Sequence, residues 1–162
     1  MFEGMTPSTC TCIVGNYRGT GDCPDLTHCP VGVDDDHRLG FDPALVGIAM
    51  VDLEEQFVQV MDVYHVWLKG DGQSATPERQ LKKFVVKAAY IFERFLTIHP
   101  YIDGNGHCAR LMLFRMLTWA GFPPVQWDID QKLPLYEQIK DHRKGQRGPL
   151  MVALTVFIAS VL

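Results

Sequence analysis

Two long apolar periodicities, parted by a run of helix breakers, constrain this chain more than any other feature. Leu53, Phe57, Val60, Tyr64 and Trp67 recur at spacings of four and three residues, the period of one buried helix face. A second stripe, Leu81, Phe84, Val85, Ala88, Ile91, Phe92 and Phe95, follows a helix start with Thr76 as N-cap, Pro77 at the first helical position and Glu78 in the first turn. That helix must stop near His99, because Pro100 disfavours helical geometry in the residue before it. After "DGNG" comes "CARLMLFRMLTWAG", apolar on almost every side and therefore expected at the centre of a bundle. Gly121 and the prolines of "GFPP" end it. A short helix around "LPLYEQIKDHRKG" and a last apolar one, "PLMVALTVFIASVL", complete a mainly α architecture.

The 162 residues suit a single domain, with a loop-rich stretch at 1–42 and a helical core at 43–162. The first stretch is rich in Gly, Pro, Asp and Cys, with short extended pieces around "CIVGNYRG" that have room for a small β-hairpin. Asp34, Asp35 and Asp36 read as a solvated turn or a surface for a partner. Cys10, Cys12, Cys23 and Cys29 crowd there beside His28. They lack paired C-x-x-C knuckles, so a structural zinc, a disulfide and unpaired thiols all stay open. Cys108 reads as a small packed residue on a helix.

A net charge of −4 argues against nucleic acid as a partner. The N-terminus "MFEGMTPSTC" lacks a basic end followed by an apolar run, and the C-terminal apolar run is too short to span a bilayer. A soluble, cytoplasmic protein with no membrane partner is the expectation.

The breaker run itself, "HPYIDGNGHCAR" at 99–110, supports three readings. His99, Asp103 and His107 are each four apart, as ligands on one helix face would be, but Pro100, Gly104 and Gly106 destroy that common face. A helix–loop–helix corner, capped by Asp103 or Asn105 with glycines at positive φ, is the plainest reading. The third is a phosphate cradle. "GNG" lets successive amides point into one concavity at a helix N-terminus, where donors and dipole favour an anion. Arg110 stands one turn inside, with a fork suited to phosphate. Asp103 is a hard oxygen ligand for Mg²⁺, and His99 is a candidate base near neutral pH. These are the parts that phosphoryl or nucleotidyl transfer requires.

The stretch resembles the signature of the Fic (filamentation induced by cAMP) family, H-P-F-x-D/E-G-N-G-R-x-x-R. "GNYRG" at 15–19 is similar to the G-x-Y-R stretch that opens the family's flap region, and "GFPP" and the C-terminal segment fit as well. The resemblance implies a Fic-type helical bundle and transfer of AMP from ATP to a Ser, Thr or Tyr hydroxyl of a protein, with pyrophosphate released. It implies His99 as general base, Asp103 as the Mg²⁺ ligand, Gly104, Asn105 and Gly106 as the anion hole, and Arg110 at the far phosphates. Tyr101 replaces the usual core-anchoring phenylalanine. His107 stands where the family has its first arginine, which implies weaker phosphate binding, a pH-sensitive contact, or a co-substrate other than ATP. Fic-type transfer of UMP, phosphocholine or phosphate, and a catalytically weak nucleotide- or partner-binding module, are the alternatives.

Many family members are held off by a helix carrying S/T-x-x-x-E-G/N. The nearest match, "SATPER" at 74–79, ends in Arg79, contains a proline and fits a helix start better. An inhibitory helix is therefore expected from a separate partner, as in toxin–antitoxin pairs, or not at all.

Overall fold

A computed structural model describes residues 11–13, 15–32, 40–68, 77–124, 127 and 135–161. Cys10, the acidic run Asp34–Asp36 and the cap residue Thr76, with the first half of "SATPER", lie outside them. So do the side chains of Tyr64, Trp67 and Glu78. The described residues form a one-turn helix α1 (Pro24–Thr27), then α2 (Val46–Leu68), α3 (Pro77–Ile98), α4 (Asn105–Trp119), α5 (Tyr136–Arg143) and α6 (Arg147–Val161). No strand occurs among them, so the architecture is mainly α as expected.

The N-terminal stretch corrects two expectations. Thr11–Ile13 is a 3-10 turn rather than an extended piece, and no hairpin follows it among the described residues. Cys12 and Cys23 form a disulfide with their Cα atoms 5.6 Å apart, while Cys29 is a free thiol. Two of the four suggested zinc ligands are thus consumed as a disulfide, and no metal-binding group of three His, Cys, Asp or Glu side chains is found among the described residues. Gly19, at φ 81°, brings the chain so close to Pro43 that a Cβ would lie 1.8 Å from its carbonyl oxygen; only glycine fits. Asp42 then starts the helical core by accepting from the amide of Ala44 at 2.9 Å, and the 3-10 turn Pro43–Leu45 leads into α2.

The helix at the centre is α3, not α4. It packs against α2, α4 and α6, with α5 laid on α6. Its sequence explains this. Phe84, Val85, Ala88, Ala89, Ile91, Phe92, Phe95, Leu96 and Ile98 are all buried, a stripe wide enough to serve several neighbours. The apolar look of α4 misleads because Leu111 and Trp119 face outward, the latter beneath the guanidinium of Arg115 at 5.3 Å. Ala109, Leu113, Met116 and Leu117 are its fully buried apolar residues, with Cys108 and Met112 half-buried against the core beside them. It ends as expected at Gly121, where the amides of Gly121 and Phe122 reach back to Thr118 and Leu117.

One feature of the core has no counterpart in the sequence reading. Glu93 on α3 and His142 on α5 are both buried and paired through Oε1 and Nε2, and Thr97 Oγ1 donates to the same carboxylate oxygen at 2.8 Å. A buried carboxylate needs such partners to offset the loss of water. No described helix is long and apolar enough to cross a membrane.

Candidate functional site

The site is the corner between α3 and α4, and its shape follows from how α3 ends. The last helical residue is Ile98, and His99 takes a left-handed conformation at φ 52°, the only non-glycine residue with positive φ among those described. The sequence predicts that the helix stops near His99, before Pro100, and it does. The structure makes His99 a left-handed helix cap, its amide donating to Phe95 O at 2.9 Å. Holding a non-glycine residue there costs on the order of 1–3 kcal/mol and persists only where the surroundings over-determine it.

The surroundings are supplied by Arg18, which is 1% exposed. Its Nε donates to His99 O at 2.7 Å, and its Nη2 to Ile98 O at 2.9 Å. Its Nη1 donates to Cys29 O at 2.7 Å, and its backbone amide to Pro100 O at 2.7 Å. The carbonyls of Ile98 and His99 are of the kind that any helix C-terminus leaves without an intrahelical partner. Pro100, which has no N–H, could not have helped to satisfy them.

Beyond Pro100 the turn is built by Asn105. This side chain, 2% exposed, accepts from the amide of Tyr101 at 2.9 Å and donates to its carbonyl at 2.8 Å. Neither Asp103 nor Asn105 caps α4 by side chain, which corrects the expected capping. Gly104, at φ 77°, occupies the cap position, a conformation that glycine adopts without strain. Asp103 is exposed, and its Oδ1 accepts from the amide of Gly104 at 2.6 Å. Its second oxygen faces no such demand, so the carboxylate fits a hard cation shared with a phosphate-bearing ligand.

Arg110, one turn into α4 and 7% exposed, folds back over the start of its own helix. Its Nη1 lies 3.4 Å from where a Cβ on Gly106 would sit, so the missing side chain at Gly106 leaves room for the guanidinium. Its Nη2 meets His107 Nδ1 at 3.1 Å. A guanidinium only donates, so Nδ1 is the acceptor in this contact. The structure thus brings Gly106, His107 and Arg110 together at the N-terminus of α4, where the first amides lack intrahelical partners.

Tyr101 anchors the corner in the core. Its ring lies 5.4 Å from that of Tyr17 and 6.5 Å from that of Phe95. Burial, followed by the neighbouring Tyr17 and Cys108, pushes its phenol up to about 12. Burial likewise pushes the Cys108 thiol up, which suits the packed, unreactive role read from sequence.

Sequence reasoning missed Arg18, whose partners lie some 80 residues away, although the "GNYRG" resemblance singled out its segment. A buried arginine beside a glycine-flanked turn leaves no periodic signal.

Comparison with known proteins bears on the same corner. Residues 49–117 match the model of the Fic/DOC family, from early α2 through α3 and the corner into α4. A protein adenylyltransferase Fic from Drosophila persimilis is 32% identical over 92 residues, 57% of this chain and 17% of that protein. One from Nematostella vectensis is 33% identical over 100 residues, 62% of this chain and 21% of that protein. The chain spans about a fifth of the length of these curated relatives. No solved structure matches it. Through the helical core that builds this corner, the chain is similar to the Fic/DOC family.

Proposed function

We propose that this protein transfers AMP from ATP to a Ser, Thr or Tyr hydroxyl of a target protein and releases pyrophosphate. The observation that carries the reading is the placement of Arg110, folded over Gly106 at the N-terminus of α4, where an anion is favoured by both the guanidinium and the helix amides. Names of the similar proteins support the same chemistry.

In this reading the amides of Asn105 and Gly106 hold phosphate oxygens. The amide of Gly104 is already given to Asp103, and the side chain of Asn105 to Tyr101, so Asn105 serves through its backbone. Arg110 binds the far phosphates. Asp103 would hold Mg²⁺ together with the nucleotide, and the ion supplies charge neutralisation for the phosphates. His99 takes the proton of the target hydroxyl as its oxygen bonds to the α-phosphorus. The α–β phosphoanhydride bond breaks, and pyrophosphate leaves with the electron pair.

His107 favours a second reading, a weak nucleotide binder, because one Arg110 donor is engaged by the imidazole. Labelled nucleotides separate the possibilities. With Mg²⁺ and lysate, label from α-labelled ATP on protein bands supports AMP transfer. Label only from γ-labelled ATP indicates a kinase, and nucleotide binding without any transfer supports the weak binder.

A further inference from the structure

We propose that Arg18 is a positioning residue for His99, an inference that rests on the reading of His99 as the base. The φ torsion of His99 is defined by the carbonyl carbons of Ile98 and His99. The oxygens on those two carbons are the ones held by Arg18, at 2.9 Å from Nη2 and 2.7 Å from Nε. One planar guanidinium therefore bridges the torsion that stands at 52°. The Arg18 amide holds the next carbonyl, that of Pro100, at 2.7 Å, which fixes the chain on the far side of the histidine.

The other end of the same fork reaches the carbonyls of Cys29, at 2.7 Å, and Phe41, at 3.4 Å from Nη2. The base is thus aimed by a side chain that reads the placement of two N-terminal loops. Lysine cannot substitute, because its single ammonium cannot present donors along a plane to carbonyls on opposite sides. The side-chain donors of Arg18 go to the carbonyls of Ile98 and His99, whereas the nucleotide cradle lies at Gly106 and Arg110 on α4, so ATP affinity and kcat read the two parts separately.

The test compares wild type with Arg18→Lys and Arg18→Met. It reads ATP affinity by calorimetry, kcat and KM for AMP transfer, and the His99 ring nitrogens by NMR, assigned with a His99→Ala control. The expected result is ATP affinity within about twofold of wild type and kcat lower on the order of 100-fold, the cost of a misplaced catalytic group. The His99 ring signals shift or multiply in both variants. Unchanged kcat with unchanged ring signals overturns the proposal, and so does loss of ATP binding alongside kcat, which marks a general structural role. Should wild type transfer nothing, the AMP-transfer reading fails while the ring signals still decide whether Arg18 aims His99.

Discussion

Arg110 donates to His107 Nδ1 across 3.1 Å, so the imidazole acts as an acceptor for the arginine one turn into α4. A second arginine could not do this, since guanidinium groups only donate. His107→Arg therefore removes an anchor from Arg110 and adds a second phosphate fork in its place. The added fork is the larger effect, worth roughly 1.5–3 kcal/mol as a charge-assisted hydrogen bond. We expect titration calorimetry to show ATP bound at least about tenfold more tightly by His107→Arg. Weaker binding would mean that the histidine–arginine contact is itself required.

Tyr101 carries a phenol pushed up to about 12, against an ordinary value of 10.0. The folded state thus favours the protonated form, and this share of stability is complete below pH 10 and lost as pH rises towards 12. Tyr101→Phe lacks that share. Denaturant melts should show wild type losing more stability than the variant between pH 10 and pH 12.

The Glu93–His142 pair ties α3, the central helix, to α5. Removing one partner strands the other in the core, which costs about 3–5 kcal/mol. Glu93→Ala should lower the melting temperature by roughly 10 °C for a chain of this size. Parallel curves for variant and wild type in a thermal scan would contradict the buried pairing.

The Cys12–Cys23 bridge encloses Tyr17 and Arg18. Closing so short a loop constrains the unfolded chain by about 2–4 kcal/mol. A thiol reductant should therefore lower the melting temperature of wild type and leave a Cys12→Ser, Cys23→Ser double variant unmoved. Equal response of both would place the effect elsewhere.

Much of the corner was legible in the sequence, because its grammar is local. Pro100 announces the end of α3, Gly104 the left-handed cap, and Arg110 its place one turn into α4. The parts that escaped are those set by distant neighbours. Left-handed His99 depends on Arg18, which reaches it across the whole of α2 and α3. Asn105 looks like a cap by its spacing, yet it pairs with the Tyr101 backbone because the turn leaves those groups unsatisfied. The rank of α3 over α4 could not be read from apolar content, since Leu111 and Trp119 add hydrophobicity on an exposed face. The pairing of Cys12 with Cys23 is a matter of three-dimensional approach, about which spacing says nothing.

The central claim is that His99 supplies the base while the start of α4 holds the nucleotide. Its most direct test is intact-protein mass spectrometry of a target after one turnover with ATP and Mg²⁺, run beside ATP affinity for wild type and His99→Ala. The account predicts a mass gain of one AMP with wild type, none with His99→Ala, and ATP affinities within about twofold of each other. An equal AMP gain with His99→Ala, or loss of ATP binding in that variant, would contradict it.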